Sequence, residues 1–126
     1  IKKNIINMQK KKTGELFGFC CESVAIVKNL KLDKRKKLKE IGINIGLLFQ
    51  IVDDLIDHKG ESAIVGKPTK SDQKKGKATL ISLLGYKETL NFANKLKKQI
   101  DHKIKKCGVH VDSLLDSVQF ILERKF

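Results

Sequence analysis

Hydrophobic residues recur every three or four positions along most of the chain, and no segment shows the strict alternation of a half-buried strand. This period predicts four helices, at about 14–29, 34–58, 86–106 and 112–124. Asp33 and Asp112 stand where the second and fourth helices are expected to begin, which suits N-cap residues. The predicted fold is therefore an all-α helical bundle, with residues 1–126 forming part of one domain.

The apolar positions of these helices define the predicted core. They are Phe17, Cys20, Val24 and Val27; then Ile41, Ile45, Leu48, Val52 and Leu55; then Ala93, Leu96, Ile100, Ile104 and Cys107; and finally Leu114, Leu115, Val118, Ile121 and Leu122. Gly42 and Gly46 lie one turn apart on the second helix, where each costs about 1 kcal/mol relative to alanine. Either another helix packs closely against them, or they line a channel for an apolar chain.

Three carboxylates follow directly after the uncharged run 41–52. Asp53 and Asp57 share one helical face, one turn apart, and Asp54 is rotated by roughly 100° toward the flank. Like charges at this spacing repel unless a cation neutralises them. Carboxylate oxygens without cysteine or histidine ligands suit Mg²⁺, which commonly shares its coordination with phosphate oxygens. The alternative is a solvated helix end.

The segment 59–77 is predicted to be a loop, because it holds three glycines and the only proline of the chain. It carries six lysines and two acids. A polyphosphate bound through Mg²⁺ by the acids of 53–57 and directly by these ammonium groups would satisfy both sets of charges. Lys12 and Thr13 supply another ammonium and a hydroxyl of the same kind. A solvated basic loop is the competing interpretation.

The formal charge of +13 allows three kinds of partner, namely nucleic acid, an anionic membrane surface or phosphorylated small molecules. Only Arg35 and Arg124 are arginines, and aromatic residues make up 6% of the chain. Nucleic-acid binders usually use arginine and stacking aromatics, so most lysines are interpreted as solvated surface.

The cysteines and the hydropathy pattern indicate the cellular compartment of the protein. The adjacent pair Cys20 and Cys21 cannot easily form a disulfide, which indicates a reducing, cytoplasmic location. No uncharged run approaches the roughly 20 residues that span a membrane. The chain begins at Ile1 with lysines that lead into a helical pattern. We therefore expect it to be a fragment of a longer protein.

Taken in order, the motifs of the chain resemble those of the trans-isoprenyl diphosphate synthases. The resemblance depends on Lys12-Thr13-Gly14, the segment 46–57 with its FQxxDDxxD pattern, Gly66-Lys67, Asp72, Lys77, Thr79 and Leu83-Leu84-Gly85. It extends from about residue 10 to the end of the chain. It covers the C-terminal half of that family only, so the N-terminal half of the domain is expected to be missing.

The resemblance implies a prenyltransferase of isoprenoid biosynthesis with the all-α isoprenoid synthase fold. Such enzymes condense isopentenyl diphosphate head to tail with an allylic prenyl diphosphate to make farnesyl, geranylgeranyl and longer prenyl diphosphates, and require Mg²⁺. Residue by residue, it implies Mg²⁺ ligands at Asp53, Asp54 and Asp57, and diphosphate-binding catalytic residues at Lys12, Lys67 and Lys77. Thr13 and Gln50 would be further catalytic and substrate-binding residues that add polar contacts nearby. Phe49 would line the apolar region next to the isoprenoid chain.

Departures from the family pattern limit what this chain alone should do. The first aspartate-rich motif and the glycine-rich basic segment for isopentenyl diphosphate do not occur in it. We therefore expect the fragment alone to be inactive and the full-length protein to be an active homodimer. Arg124 and Lys125 loosely match a basic tail that covers the substrate in some relatives, but a frayed, solvated end is the simpler interpretation.

Two other functions remain open. A noncatalytic subunit or remnant of a prenyl synthase would keep the bundle and lose turnover. A basic helical nucleic-acid-binding module would use the lysines, yet phosphate would repel Asp53, Asp54 and Asp57. For this reason we predict no nucleic-acid partner. His58 next to the acids is interpreted as a helix-end residue rather than a base.

Overall fold

The computed structural model describes residues 1–65, 79–107 and 112–124, and all regular structure in these ranges is helical. The elements are α1 (Lys2–Gln9), a π-helical turn (Lys10–Gly14), α2 (Glu15–Val27), α3 (Leu32–Val65), α4 (Leu80–Leu84), α5 (Tyr86–Lys105) and α6 (Asp112–Glu123). The prediction of an all-α helical bundle is confirmed.

Helix α3 is the centre of the bundle and contacts all the other described elements. Its predicted apolar stripe is buried throughout, with Leu48 completely inaccessible, and Ile51, which was not predicted, is equally buried. The predicted stripe of α5 packs against it at Ala93, Leu96, Ile100 and Ile104, and that of α6 at Val118 and its partly buried neighbours. Burial of these apolar surfaces supplies the main driving force for folding.

Glycines bring α2 and α3 unusually close together. A Cβ atom added to Gly42 would lie 2.5 Å from the carbonyl oxygen of Phe17, and one added to Gly46 would lie 2.7 Å from the Cα of Gly14. The facing positions on α2 and the π-helical turn, Gly14 and Gly18, are glycines at the same four-residue spacing. Of the two explanations for Gly42 and Gly46, close helix packing is the one that the structure shows.

The predicted core face of α2 was wrong except at Phe17, which is partly buried against the core. Gly18 and Ala25 are its buried residues, whereas Val24 is 53% exposed and Val27 is 85% exposed. Cys20 is also exposed. The physical reason is the close approach to α3, which selects the face with the smallest side chains and turns the larger apolar ones outward. Hydrophobicity alone does not reveal such a face, because glycine carries no apolar side chain.

Helix α3 is longer than predicted at both ends. It begins at Leu32, so Asp33 lies in its first turn rather than at the cap. It continues to Val65, so the prediction of a loop beginning at residue 59 was wrong for 59–65. Gly60 lowers helix stability by about 1 kcal/mol, which neighbouring helix-forming residues can offset. The last helix includes Asp112 as its first residue, not as a preceding cap.

Short connections join the helices. Asn29 has φ +55° after α2, a left-handed conformation that asparagine tolerates better than most residues. Gly85, with φ +84°, separates α4 from α5. Thr79 caps α4, because its hydroxyl accepts from the backbone N–H of Ser82 and the Ser82 hydroxyl accepts from that of Thr79.

Two further predictions concern Cys107 and membrane-spanning segments. Cys107 follows the end of α5 and is exposed, so its assignment to the core was wrong. Among the helices that the structure describes, none combines the length and the apolar character needed to cross a membrane.

Candidate functional site

The acidic segment lies in the second half of α3, well inside the helix. Asp53 and Asp54 are partly buried, and Asp57 is exposed one turn further on. Buried Val52 and Leu55 lie on the opposite side and fix the rotation of the helix about its axis. The packing therefore turns the three carboxylates away from the hydrophobic core.

Asp54 is held by two amide side chains from different elements. Gln50 Nε2 donates to Asp54 Oδ1 at 3.0 Å, and Gln9 Nε2 of α1 donates to Asp54 Oδ2 at 3.0 Å. Gln9 is only 3% exposed, and its Oε1 has no hydrogen-bond partner among the described residues. Both oxygens of Asp54 are thus oriented by hydrogen bonds, and the carboxylate connects α1 to α3.

Thr13 extends this network into the π-helical turn. Its hydroxyl Oγ1 donates to Gln50 Oε1 at 3.1 Å, so Gln50 accepts from Thr13 and donates to Asp54. The backbone N–H of Glu15 donates to the carbonyl of Lys10, the i to i−5 bond of a π-helix. Such turns are rare and frequently occur at functional sites. Lys12 precedes Thr13 in this turn and is exposed.

Asp53 is paired with an arginine from the other end of the sequence. Arg124 Nη1 lies 3.6 Å from Asp53 Oδ1, and Arg124 Nη2 donates to the backbone carbonyl of Phe49 at 3.0 Å. The guanidinium carbon lies 4.0 Å from the centroid of the Phe49 ring. The prediction of a frayed end was therefore wrong for Arg124, because its guanidinium makes these contacts.

Phe49 is half-buried between several partners. Its ring centroid lies 5.5 Å from that of Phe17, at a tilted angle, and Arg124 contacts it as described above. These contacts bring an aromatic surface next to Asp53, which is one turn away on α3. Apolar and anionic groups thus occupy adjacent positions along the same helix.

The donor atoms suit a hard cation such as Mg²⁺. Asp53 and Asp57 offer carboxylate oxygens one turn apart, and Mg²⁺ commonly takes one or two protein carboxylates and completes its shell with water and phosphate oxygens. Within the ranges that the structure describes, no three acidic, histidine or cysteine side chains converge as a metal cage. The oxygens of Asp53 and Asp57 therefore fit a cation that also binds the oxygens of a ligand.

Two of the predicted phosphate-binding residues, Lys67 and Lys77, lie outside the described residues, as does Asp72. Five of the seven described members of the predicted site fall into two groups, and the other two, Lys12 and Asp57, are exposed. Thr13, Gln50 and Asp54 form one hydrogen-bonded chain, and Phe49 and Asp53 share Arg124.

Sequence reasoning missed Gln9 and the contacts of Arg124. Gln9 precedes Thr13 by four residues, a spacing that could have suggested a common face with that hydroxyl. The sequence signal for the contacts of Arg124 was weaker, because a local pattern cannot relate Arg124 to Phe49, which lies 75 residues away. His58 lies inside α3 and stacks on Tyr86, with ring centroids 5.8 Å apart, so it does not end the helix.

Basic side chains also line a groove elsewhere on the surface. It has a volume of about 440 Å³ and lies between the π-helical turn and the first half of α3. Lys10, Lys11, Lys36 and Lys39 line it together with Glu15 and Glu40. The two glutamates partly neutralise these lysines, and the groove contains none of the acidic residues 53–57.

Comparison with known proteins adds an independent line of evidence. The sequence profile of the family described as polyprenyl synthetase matches residues 2–118. The chain is 34% identical to a farnesyl diphosphate synthase of Micrococcus luteus over 90% of the chain and 39% of that protein. It is 38% identical to a geranylgeranyl diphosphate synthase of Saccharolobus solfataricus over 75% of the chain and 27% of that protein.

The chain also matches only part of the length of a further relative. The chain is 36% identical to a farnesyl diphosphate synthase of Geobacillus stearothermophilus over 68% of the chain and 30% of that protein. The chain thus spans about two fifths or less of the length of these relatives.

Proposed function

We propose that this chain, which belongs to the polyprenyl synthetase family, is the C-terminal portion of an Mg²⁺-dependent prenyl diphosphate synthase. The whole protein would join isopentenyl diphosphate to an allylic prenyl diphosphate. The observation that carries the proposal is the network on α3, in which Thr13, Gln50 and Asp54 are hydrogen-bonded in series next to the carboxylate of Asp53.

The residues divide into those that would bind a cation and those that would bind diphosphate. We assign the Mg²⁺ ligands to Asp53, Asp54 and Asp57, with the hydrogen bonds from Gln50 and Gln9 orienting Asp54. We assign the diphosphate contacts to Lys12, Lys67 and Lys77, with Thr13 and Gln50 as polar neighbours. Phe49 would border the isoprenoid chain.

Charge provides the chemical rationale. Breaking the allylic carbon–oxygen bond leaves negative charge on the departing diphosphate, and groups that stabilise this charge accelerate the step. Bound at the acids, Mg²⁺ would act as a Lewis acid toward the diphosphate oxygens. The lysine ammonium groups would neutralise the remaining charge, and Phe49 would keep water from the apolar chain. No protein nucleophile is required.

Replacement of Asp53 in the full-length protein tests this function. We expect Asp53→Asn to lower kcat/KM for condensation of labelled isopentenyl and allylic diphosphates by about 10²- to 10³-fold, the usual effect of losing one group that stabilises transition-state charge. Asp116→Asn, on the exposed surface of α6, is the matched control and should retain wild-type turnover. Wild-type activity of Asp53→Asn would refute the metal assignment.

A noncatalytic subunit of the same family is the second candidate function. If the full-length protein binds Mg²⁺ and diphosphate but shows no condensation, this candidate is favoured. We further propose a cytoplasmic location and a homodimer for the full-length protein. Sedimentation of that protein would test the second of these assignments.

A further inference from the structure

The guanidinium of Arg124 is fixed at the end of α6 by all three of its nitrogen atoms. Nε donates to the carbonyl of Ile121 at 3.4 Å, near the C-terminal end of the helix, where a positive charge is favourable. Nη2 donates to Phe49 and Nη1 faces Asp53, while the planar group lies on the Phe49 ring. The side chain of Arg124 is only 19% exposed.

This geometry sets a cation beside one predicted metal ligand. Asp53 is 45% exposed, so solvent still reaches its carboxylate although the arginine contacts Oδ1. Phe49 and Asp53 are four residues apart on α3, which allows one guanidinium to bind the carbonyl of the first and the carboxylate of the second. The arginine therefore lies along the same edge of α3 from which a divalent cation would approach.

We infer that Arg124 competes with the divalent cation for Asp53, holding that carboxylate while the site is empty. The inference rests on the metal role proposed above for Asp53. A cation of charge +2 at Oδ1 would be repelled by the neighbouring guanidinium and would have to displace it or bind beside it. Removing the positive charge of Arg124 should consequently strengthen metal binding, whereas the loss of a purely structural contact would weaken it or leave it unchanged.

Binding of Mn²⁺ alone to the full-length protein, followed by electron paramagnetic resonance without substrate, tests this inference. We expect Arg124→Met to bind Mn²⁺ about two- to fivefold more tightly, the range set by a partly exposed ion pair. Arg124→Gln should behave in the same way, and serves if the methionine variant folds poorly. Arg124→Lys, which keeps the charge, should stay closer to wild type.

The only other arginine of the sequence provides the matched control. Arg35 Nε donates to Glu22 Oε2 at 3.0 Å, between α2 and α3. Arg35→Met therefore removes the same charge from another ion pair, and we expect wild-type Mn²⁺ affinity. Equal tightening in both variants would reflect net charge alone and would overturn the inference, as would unchanged or weaker binding by Arg124→Met.

Asp53→Asn separates this inference from the proposed function. If that variant binds fewer Mn²⁺ ions or binds them more weakly, but Arg124→Met binds them as wild type does, the metal site is supported and only the competition is refuted. If Asp53→Asn binds Mn²⁺ as wild type does, both the metal role and the competition fail. The expected pattern is fewer or more weakly bound Mn²⁺ ions in Asp53→Asn together with tighter binding in Arg124→Met.

Discussion

In residues 32–48, α3 packs against α2 through bare backbone and apolar side chains, with one ion pair between Arg35 and Glu22. In residues 49–57 its non-core face instead makes polar contacts with α1, the π-helical turn and Arg124. Gly42 and Gly46 make the first contact possible, since any Cβ there would meet backbone atoms of the facing helix. In the second region, Gln50, Asp53 and Asp54 are held by side chains that lie far away in the sequence.

The two regions are mechanically related because they share the π-helical turn. Gly14, the last residue of that turn, packs against Gly46, and Thr13, immediately before it, bonds to Gln50 one turn further along α3. Close backbone packing leaves little freedom for one helix to slide along the other. The glycine contact can therefore hold Thr13 within reach of Gln50, and the tightly packed region positions the polar one.

The largest expected effect is on the glycine contact. Gly46→Ala should destabilise the protein by about 1–3 kcal/mol, because the new methyl group would overlap the backbone of Gly14 and force the helices apart. Helix propensity alone predicts the opposite sign, a gain of about 1 kcal/mol. Urea unfolding followed by circular dichroism would measure the change.

Asn94→Ala is the control for that experiment, since Asn94 is exposed in the middle of α5. It should follow propensity and stabilise the protein by about 0.5 kcal/mol. If Gly46→Ala also stabilised the protein, the close approach of the two helices would be wrong and the contrast between the two regions would disappear.

The hydrophobic period predicted the all-α bundle because the burial of large apolar side chains leaves a clear pattern in the sequence. All five residues predicted for the stripe of α3 are buried, as are four of the five predicted for α5, whereas buried Leu47 and Ile51 of α3 were not predicted. The face of α2 could not be predicted in this way. Its buried positions are occupied by Gly18 and Ala25, which a hydrophobic pattern treats as weak or silent.

The candidate site likewise contains residues that the sequence predicted and contacts that it did not. Order and spacing of motifs identified Thr13, Gln50 and Asp54, and the structure joins these three by hydrogen bonds. The contacts of Gln9 and Arg124 depend on which helices meet in space, and local sequence carries no information on that. The metal and diphosphate roles of the predicted residues stay predictions until the binding experiments are done.

A smaller effect is expected from the polar network itself. Gln50→Leu would remove two partly buried hydrogen bonds, the one donated to Asp54 Oδ1 and the one accepted from Thr13, so we expect a loss of about 1–2 kcal/mol. Gln119→Leu is a close match, because Gln119 also donates to a carboxylate four residues ahead, that of Glu123, but on the exposed surface.

The control should cost less than about 0.5 kcal/mol, as helical pairs in solvent contribute little. Thermal unfolding of the two variants beside wild type would give the comparison. Equal costs would show that burial adds nothing to the bonds around Asp54, and the polar region would then be no more than an ordinary helix surface.

The smallest expected effect concerns an ion pair between α5 and the first region of α3. Lys103 Nζ lies 2.6 Å from Glu40 Oε1, with the side chains 41% and 62% exposed. Because exposed ion pairs are screened by solvent, Lys103→Met should cost no more than about 0.5 kcal/mol at low salt and almost nothing in 1 M NaCl. Urea unfolding at the two salt concentrations would measure both values. A loss above about 1 kcal/mol that persists in salt would mean that exposed polar contacts stabilise the first region as strongly as partly buried ones stabilise the second, and the distinction between the two regions of α3 would no longer stand.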